Sequence, residues 1–254
     1  MTLRRMRRAV ALIFALSVSI FRLGMMRLWG PFTLERRALW IQSTGRLVMS
    51  SLGIRVRIIG EAPARGLLVS NHISYLDVVI YAATLPCSMV AKAEVGRWPV
   101  FGMMARASGA LFVDRSSRSS ALTVTEEVAE RLTGPLPVLF FPEGTSTDGS
   151  EVLRFHSRLF TPAVEAKAPV TAAAIRFVTE DGTPERELCW FGDTLLLPHL
   201  WKALGVADFF AEVHFGETKV YTNRRVAADR TRAEIAAIRD RLHEREEAEM
   251  LQTA

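Results

Sequence analysis

The sequence predicts an α/β protein in which a mostly parallel central sheet is flanked by helices. From residue 54 onward, short apolar runs recur, and stretches with helical periodicity separate most of them. Strands that alternate with helices in this way form parallel sheets covered on both faces. A chain of 254 residues, 49% of them hydrophobic, is long enough to build one such domain with an appendage.

Five apolar runs are predicted strands, and in chain order they are IRVRII (54–59), GLLVS (66–70), ALFVD (110–114), PVLFF (137–141) and PVTAAAIRF (169–177). The helical stretches that follow or separate them are 75–84, 98–106, 119–133 and 157–166. Reactive groups in such sheets collect where strands end and turn into helices. The strand ends are therefore where a functional site is expected.

The rest of the chain departs from this alternation. Residues 190–205 are apolar and aromatic and predict a loop and helix near lipid, while AEVHFGETKV at 211–220 predicts another strand. The predicted α/β domain thus covers 54–224. A charged helix and tail follow at 225–254, with the charges expected on a solvated face.

The N-terminal region is strongly basic and partly apolar. Residues 1–60 contain eleven Arg and one acidic residue, Glu35, although the whole chain has a net charge of only +5. An uncharged run of 13 residues at 9–21 follows the first four arginines. Because a spanning helix needs about 20 apolar residues, the run predicts a helix in the membrane interface. A short span with snorkelling ends and a signal peptide are the alternatives.

Residues 32–51 predict a second amphipathic helix, with Thr33 as N-cap and Gly53 as its stop. Its arginines and Trp40 favour a membrane-facing role over simple packing on the domain. Residues 1–53 are therefore the predicted membrane-anchoring segment. Basic charge beside apolar sequence predicts anionic lipid, not nucleic acid, as the partner. The expected location is the cytoplasmic face of the inner membrane, peripheral, monotopic or with one short N-terminal span.

The stretch NHISYLD at 71–77 has two interpretations. Ser74 and Asp77 have the spacing of a capping box that starts a helix, with Asp in place of Glu. Alternatively, a bend at Ser74 lets Asp77 reach back to one ring nitrogen of His72. The other nitrogen would then be left to take a proton, which makes an acid–base pair.

Two further polar clusters follow later strands. GALFVDR at 109–115 ends one strand with Arg115, whose forked donors suit phosphate or carboxylate. FPEGTS at 141–146 ends the next, where Gly144 allows close approach of the backbone to a ligand. Three polar clusters at three strand ends predict a site rather than three unrelated turns. The two cysteines and the remaining histidines have no metal-ligand spacing.

In order and spacing, NHISYLD, GALFVDR and FPEGTS resemble the motifs of the PlsC-type glycerolipid acyltransferases, which include the 1-acylglycerol-3-phosphate acyltransferases. The resemblance covers roughly residues 60–180 and extends to AKAEVGRWPVFG at 91–102. It implies transfer of a fatty acyl chain from acyl-CoA or acyl-carrier protein to a lysolipid hydroxyl at a membrane. It also implies that neither a metal nor an organic cofactor takes part.

The resemblance assigns roles to individual residues. His72 is implied as general base and Asp77 as the group that orients it, with direct attack by the acceptor and no acyl-enzyme. The residues implied in acceptor binding are Arg115, Glu143 and Gly144, with Asn71 and Thr145 as weaker candidates for shaping the site. Trp98, Phe101, Met103 and Met104 are either lining residues of an acyl groove or ordinary core residues.

One departure from the family pattern affects the acceptor. Many members carry a Lys and then a Gly after the FPEGTS motif; here His156 stands in the Lys place and Arg158 in the Gly place. The RFHSRLF form is similar to the lyso-ornithine lipid acyltransferases, which makes His156 a candidate for acceptor binding.

These features leave three classes of function open. The leading one is acylation of the sn-2 hydroxyl of 1-acylglycerol-3-phosphate, with acylation of a lyso-ornithine lipid as the alternative within the family. A non-catalytic lipid-binding membrane protein and an acyl hydrolase are alternatives of other classes. The chain has no GxSxG elbow, which disfavours the hydrolase.

Overall fold

The computed structural model describes the backbone of residues 2–113 and 118–253, and their side chains except those of 118–124, 243 and 245–253. The seven strands are β1 Ile54–Ile59, β2 Leu67–Ser70, β3 Ser88–Lys92, β4 Leu111–Val113, β5 Val138–Phe140, β6 Val170–Thr179 and β7 Phe209–Phe215. The α-helices are α1 Thr2–Leu28, α2 Leu34–Leu52, α3 Tyr75–Thr84, α4 Phe101–Ser108, α5 Arg118–Leu132, α6 Thr161–Glu165, α7 Leu196–Ala203 and α8 Arg224–Thr253. Short 3-10 turns cover Ala93–Arg97, Ser157–Phe160 and Glu185–Glu187.

The strands form one sheet in the order β1-β7-β6-β2-β5-β3-β4. Every neighbouring pair is parallel except β6 and β7, which are antiparallel. The fold class predicted from the alternation of strands and helices is confirmed. The central strands β2 and β5 are buried throughout, as expected for strands covered on both faces.

Two details of the strand prediction are wrong. Ser88–Lys92 forms β3, which the sequence did not reveal because only its first residue is buried and the others are partly or fully exposed. The last strand begins at Phe209 and ends at Phe215, so it does not extend to residue 220. Beyond it, Lys219 makes only an isolated bridge to Val170 at the start of β6.

The N-terminal helices form a pair that lies on the α/β domain. α1 runs over 27 residues, well beyond the 13-residue apolar run, and is long and apolar enough to cross a membrane by length and composition. One stripe of α1 is buried, comprising Arg8, Leu12, Ala15, Ser19 and Leu23. Trp40 of α2 donates from Nε1 to the Ser19 carbonyl at 2.9 Å. α2 in turn approaches α3 so closely that a Cβ on Gly45 would lie 2.8 Å from Ala83 N.

The opposite side of α1 is apolar and uncovered. Its exposed large side chains are Leu3, Met6, Val10, Ile13, Phe14, Ile20, Phe21 and Leu28, which together are called the apolar face of α1. Thr33 caps α2 as predicted, because its side chain accepts from Arg36 N. Gly53 ends α2 in a left-handed conformation, also as predicted.

The C-terminal helix α8 is packed on the domain. Ala227, Thr231, Ile235 and Leu242 are buried against β6 and its neighbours. The prediction that the charges of this segment lie on a solvated face is wrong for Arg239, of which only 3% is exposed. The charge is tolerated because Glu185 accepts from Arg239 Nη2 at 2.7 Å, so a buried ion is paired.

Candidate active site

The turn between β2 and α3 carries the first motif. β2 lies in the middle of the sheet, so its carboxyl end delivers Asn71 and His72 to the centre of one sheet edge. The side chain of Asn71 is buried and pairs with the backbone of Ile175 in β6. Its Oδ1 accepts from Ile175 N at 2.8 Å, and its Nδ2 donates to Ile175 O at 3.0 Å. Asn71 thus fixes the turn to the neighbouring strand.

His72 and Asp77 form a hydrogen-bonded pair. His72 Nδ1 lies 2.8 Å from Asp77 Oδ2, while the same oxygen accepts from the backbone N–H groups of Ile73 at 2.7 Å and Ser74 at 2.9 Å. The bond from Ser74 N is the carboxylate half of the predicted capping box. The two arrangements considered for NHISYLD therefore occur together, because the Asp77 carboxylate both accepts from the start of the helix and contacts the imidazole. The role of the pair as acid and base stays a prediction.

The environment of the pair differs between its members. Asp77 is fully buried, whereas 19% of the His72 side chain is exposed. The imidazole stacks on the ring of Phe141, with centroids 4.2 Å apart and planes 17° from parallel. Asp77 at Nδ1 and Phe141 against one ring face fix the plane of the imidazole, and Nε2 is the ring nitrogen that does not contact Asp77.

Glu143 joins the segment after β5 to the turn after β2. β5 is the direct neighbour of β2, so the residues that follow it lie beside the His72 turn. Glu143 Oε1 accepts from His72 N at 2.7 Å, and Oε2 accepts from Leu153 N at 2.8 Å. Burial raises the pKa of Glu143 to about 7, even though these two N–H bonds favour the ionised form.

The remaining predicted residues have different surroundings. Gly144 has a φ of 78°, in the region that favours glycine. Thr145 is exposed, and its hydroxyl lies 3.5 Å from the Ser146 carbonyl. His156 is also exposed, and its backbone N–H donates to Pro142 O at 2.9 Å, which brings the RFHSRLF segment against the FPEGTS loop.

Arg115 lies outside the described residues. The strand before it, β4, is at the edge of the sheet, with β3 between it and β5. The three motifs follow β2, β4 and β5 along the chain, but only β2 and β5 are neighbours in the sheet.

The residues considered for an acyl groove also have different surroundings. Met104 is buried with Leu23 and Trp40, whereas Trp98 contacts Trp190 edge to face.

Two arginines of α8 bind the backbone of β6 and of the loop after β5, and sequence reasoning missed both. Arg239 Nη1 donates to Ile175 O at 2.6 Å, the same carbonyl that Asn71 contacts, and its Nη2 donates to Gly149 O at 2.6 Å. Arg232 donates to the carbonyls of Val152 and Leu153, with distances of 2.6–3.0 Å. The signal in the sequence is their spacing of seven, which puts both on the face of α8 that carries its apolar residues.

Among the described residues, no group of three or more His, Cys, Asp or Glu is arranged to hold a metal ion. Cys87 and Cys189 are free and buried, as predicted. Burial raises the pKa of the Cys87 thiol to about 12 and also raises that of Cys189. Both cysteines are therefore thiols, not thiolates, near neutral pH.

Comparison with known proteins gives a consistent family. The Acyltransferase family model matches residues 53–176. Lyso-ornithine lipid O-acyltransferases from Pseudomonas aeruginosa and Brucella abortus are 39% and 36% identical to the chain over 156 and 188 residues. These matches cover 61% and 68% of this chain, and 60% and 70% of the two relatives. A 1-acyl-sn-glycerol-3-phosphate acyltransferase from Neisseria gonorrhoeae is 33% identical over 182 residues, 71% of each chain.

A solved structure has the same fold. The crystal structure of the 1-acyl-sn-glycerophosphate (LPA) acyltransferase PlsC from Thermotoga maritima superposes with a TM-score of 0.68. The match covers 95% of both chains at 17% sequence identity. It therefore extends well beyond residues 53–176, the region matched by the family model.

Proposed function

Because this chain belongs to the PlsC-type acyltransferase family, we propose that it acts on lysolipids and that His72 and Asp77 are its catalytic pair. His72 is the general base that activates the acceptor hydroxyl, and Asp77 orients the imidazole and stabilises its protonated form. The observation that carries the proposal is the 2.8 Å contact between His72 Nδ1 and Asp77 Oδ2. It leaves Nε2 of a partly exposed imidazole for the acceptor.

The reaction then follows as a direct transfer. The acceptor O–H gives its proton to His72 Nε2 as its oxygen bonds to the thioester carbonyl carbon. When the resulting tetrahedral intermediate collapses, the carbon–sulfur bond breaks, and the thiolate takes the proton from His72. The products are an ester and a free thiol. The buried, protonated thiols of Cys87 and Cys189 fit a route without an acyl-enzyme.

Glu143 acts in this scheme through the backbone. Its two oxygens are engaged by His72 N and Leu153 N, which ties the base to the loop that leads to His156. We assign it to positioning His72 and this loop. Arg115, Gly144, Thr145 and His156 are the proposed acceptor-side residues, with Asn71 holding the turn from behind.

We propose a lyso-ornithine lipid as the acceptor and 1-acylglycerol-3-phosphate as the second candidate. The sequence motifs alone favour the glycerol phosphate. The two relatives of 39% and 36% identity are named for the ornithine lipid, and the glycerol phosphate relative is 33% identical. The exposed His156 at the family's Lys position supports the same choice, because an imidazole is a weaker partner for a phosphate than a lysine ammonium is.

A competition assay tests the acceptor. Purified enzyme in detergent receives an acyl thioester and equal amounts of both lysolipids, and the two esters are separated and quantified. The proposal predicts mostly acylated ornithine lipid, and His156→Lys should shift the product ratio toward phosphatidic acid. Exclusive acylation of the glycerol phosphate by the wild type would overturn the acceptor assignment.

The proposed acyl donor is acyl-CoA or acyl-carrier protein, and the proposed location is the cytoplasmic face of the inner membrane. The apolar α1 and a lipid substrate are consistent with membrane association. The buried stripe of α1 packs on α2, so its apolar face is the side available to lipid. This arrangement supports an interfacial helix rather than an isolated span.

A further inference from the structure

We propose that α7 makes a second contact with the lipid bilayer, next to the active site, and this rests on the proposed membrane association of α1. The contact is the outer face of α7, formed by Leu195, Leu197 and Trp201. Leu195 and Leu197 are 71% and 73% exposed, and the large ring of Trp201 is exposed as well. Water is an unfavourable neighbour for a contiguous apolar patch of this kind.

The two sides of α7 are sharply different. Leu197 and Trp201 are four residues apart, so they lie on the same side of the helix. His199 and Ala203, on the other side, are buried against the domain. A helix on a soluble surface has polar side chains on its uncovered side. α7 differs from it, because apolar side chains occupy the side that the domain leaves uncovered.

The segment that follows α7 contacts the start of α1. Arg4 Nη1 donates to Gly205 O at 3.3 Å, two residues after the end of α7. Arg8 Nη1 donates to Val206 O at 2.6 Å, and Arg8 also forms an ion pair with Asp208 at 2.6 Å. Leu3, the first residue of the apolar face of α1, directly precedes Arg4 in the chain. A bilayer that contacts one helix is therefore close to the other.

The charges around the patch suit a lipid surface. Arg4 and Arg7 of α1 are exposed nearby, and Lys202 of α7 pairs with Glu187. Asp193 precedes the patch, and together Arg4 and Arg7 give these surroundings more basic than acidic charge. Trp together with basic side chains is typical of the membrane interface.

The inner side of α7 reaches the catalytic turn. His199 Nδ1 lies 3.2 Å from the hydroxyl of Tyr75, and the two rings meet edge to face. Tyr75 is the first residue of α3, between His72 and Asp77 in the chain. Seating α7 in the lipid would therefore set the height of the catalytic pair above the bilayer, from which the lysolipid must come.

Single-cysteine labelling tests the contact in the full-length chain. Leu197→Cys carries a polarity-sensitive fluorophore on α7, Phe14→Cys on α1, and Val226→Cys on the exposed side of α8, where Val226 is 48% exposed. Cys87 and Cys189 are buried, so they stay unlabelled. The probe is a vesicle of phosphatidylcholine with a minority of phosphatidylglycerol, with or without brominated acyl chains.

We expect blue-shifted emission and bromine quenching at Leu197→Cys and Phe14→Cys, and neither at Val226→Cys. A response at Phe14→Cys without one at Leu197→Cys would overturn the α7 contact and leave the α1 contact intact. No response at either position would remove the membrane association itself. A shift at Leu197→Cys caused by acyl-carrier protein, without vesicles, would make the face a protein-docking surface instead.

A second pair of variants measures the contribution of the contact. Leu195→Ser with Leu197→Ser should weaken vesicle partition at least about tenfold, since two exposed leucines lose their apolar contact with lipid. Turnover of a detergent-dispersed acceptor should stay at the wild-type level. Val226→Ser should change neither quantity, and equal partition of all three proteins would refute the proposal.

Discussion

The turn that carries His72 and Asp77 and the apolar face of α1 are built on opposite physical principles. In the turn, one oxygen, Asp77 Oδ2, makes short, directed contacts with three nitrogen atoms, those of His72 Nδ1, Ile73 N and Ser74 N. On the apolar face of α1, large side chains project without a protein partner that covers them. Chemistry needs fixed geometry, whereas contact with a fluid lipid surface needs apolar area and no fixed geometry.

This difference predicts that the two functions separate by mutation. Substitutions at the catalytic edge should reduce turnover and leave membrane partition unchanged. Substitutions on the apolar face of α1 should weaken membrane partition and leave turnover in detergent unchanged.

Asp77→Asn should reduce turnover by about 10²- to 10⁴-fold, the usual contribution of a positioned acid–base group. The amide oxygen can still accept from Ile73 N and Ser74 N, so the turn persists, but it cannot stabilise a protonated His72. Steady-state kinetics and a thermal melt check this. Asp181→Asn, in an exposed turn, is the matched control. Loss of folding rather than turnover would show that Asp77 serves only the helix start.

Arg239→Lys should lower kcat by about tenfold to a hundredfold, because lysine lacks the fork that reaches both Ile175 O and Gly149 O. Arg176→Lys is the matched control, since Arg176 is equally buried but bonds to Glu212 and the Leu242 carbonyl. Both variants should lose thermal stability, and only Arg239→Lys should lose kcat with little change in KM. Equal losses of kcat would reduce Arg239 to a purely structural role.

Phe14→Ser with Phe21→Ser should weaken vesicle partition about tenfold, because each exposed ring on α1 loses its burial in lipid. Vesicle sedimentation measures this, with Val220→Ser as an exposed control away from α1. These substitutions are a cleaner test than deleting residues 1–30, which would also uncover the side of α2 that the buried stripe of α1 covers. Unchanged sedimentation would exclude this face as the anchor.

Glu143 should make stability depend on pH in an unusual direction. Its pKa is about 7 in the folded chain and 4.5 in the unfolded one, so the folded state holds the proton longer. The free energy of unfolding should therefore fall as pH rises from 4.5 to 7. Glu143→Gln, which resembles the protonated group, should flatten that slope in urea melts recorded across the window. An unchanged slope would show that other groups cause the pH dependence of the free energy of unfolding.

Much of the fold and the contact between His72 and Asp77 could be predicted from the sequence because their signals are local. The alternation of apolar runs and helical stretches gives the parallel sheet, and the spacing of Ser74 and Asp77 gives both the cap and the carboxylate that reaches His72. Thr33 and Gly53 mark the ends of α2 for the same reason. Each of these features depends on residues within one turn or one strand.

The parts that could not be predicted depend on distant partners. β3 has an ordinary mixed composition and becomes a strand because β4 and β5 pair with it. Arg239 looks like a solvated helix charge until Glu185 and Gly149 are placed beside it. Arg8 is similar, since its carboxylate partner Asp208 lies 200 residues away. Sequence periodicity contains no information on such long-range pairing.

The most direct test of the catalytic pair is thiol release from an acyl thioester in detergent micelles. It compares the wild type with His72→Ala, each with a lyso-ornithine lipid, with lysophosphatidic acid and without acceptor. The account predicts acceptor-dependent release by the wild type that falls by about 10²- to 10⁴-fold in the variant, with an unchanged thermal melt. Release by His72→Ala at the wild-type rate would contradict the account, because the base would then lie elsewhere.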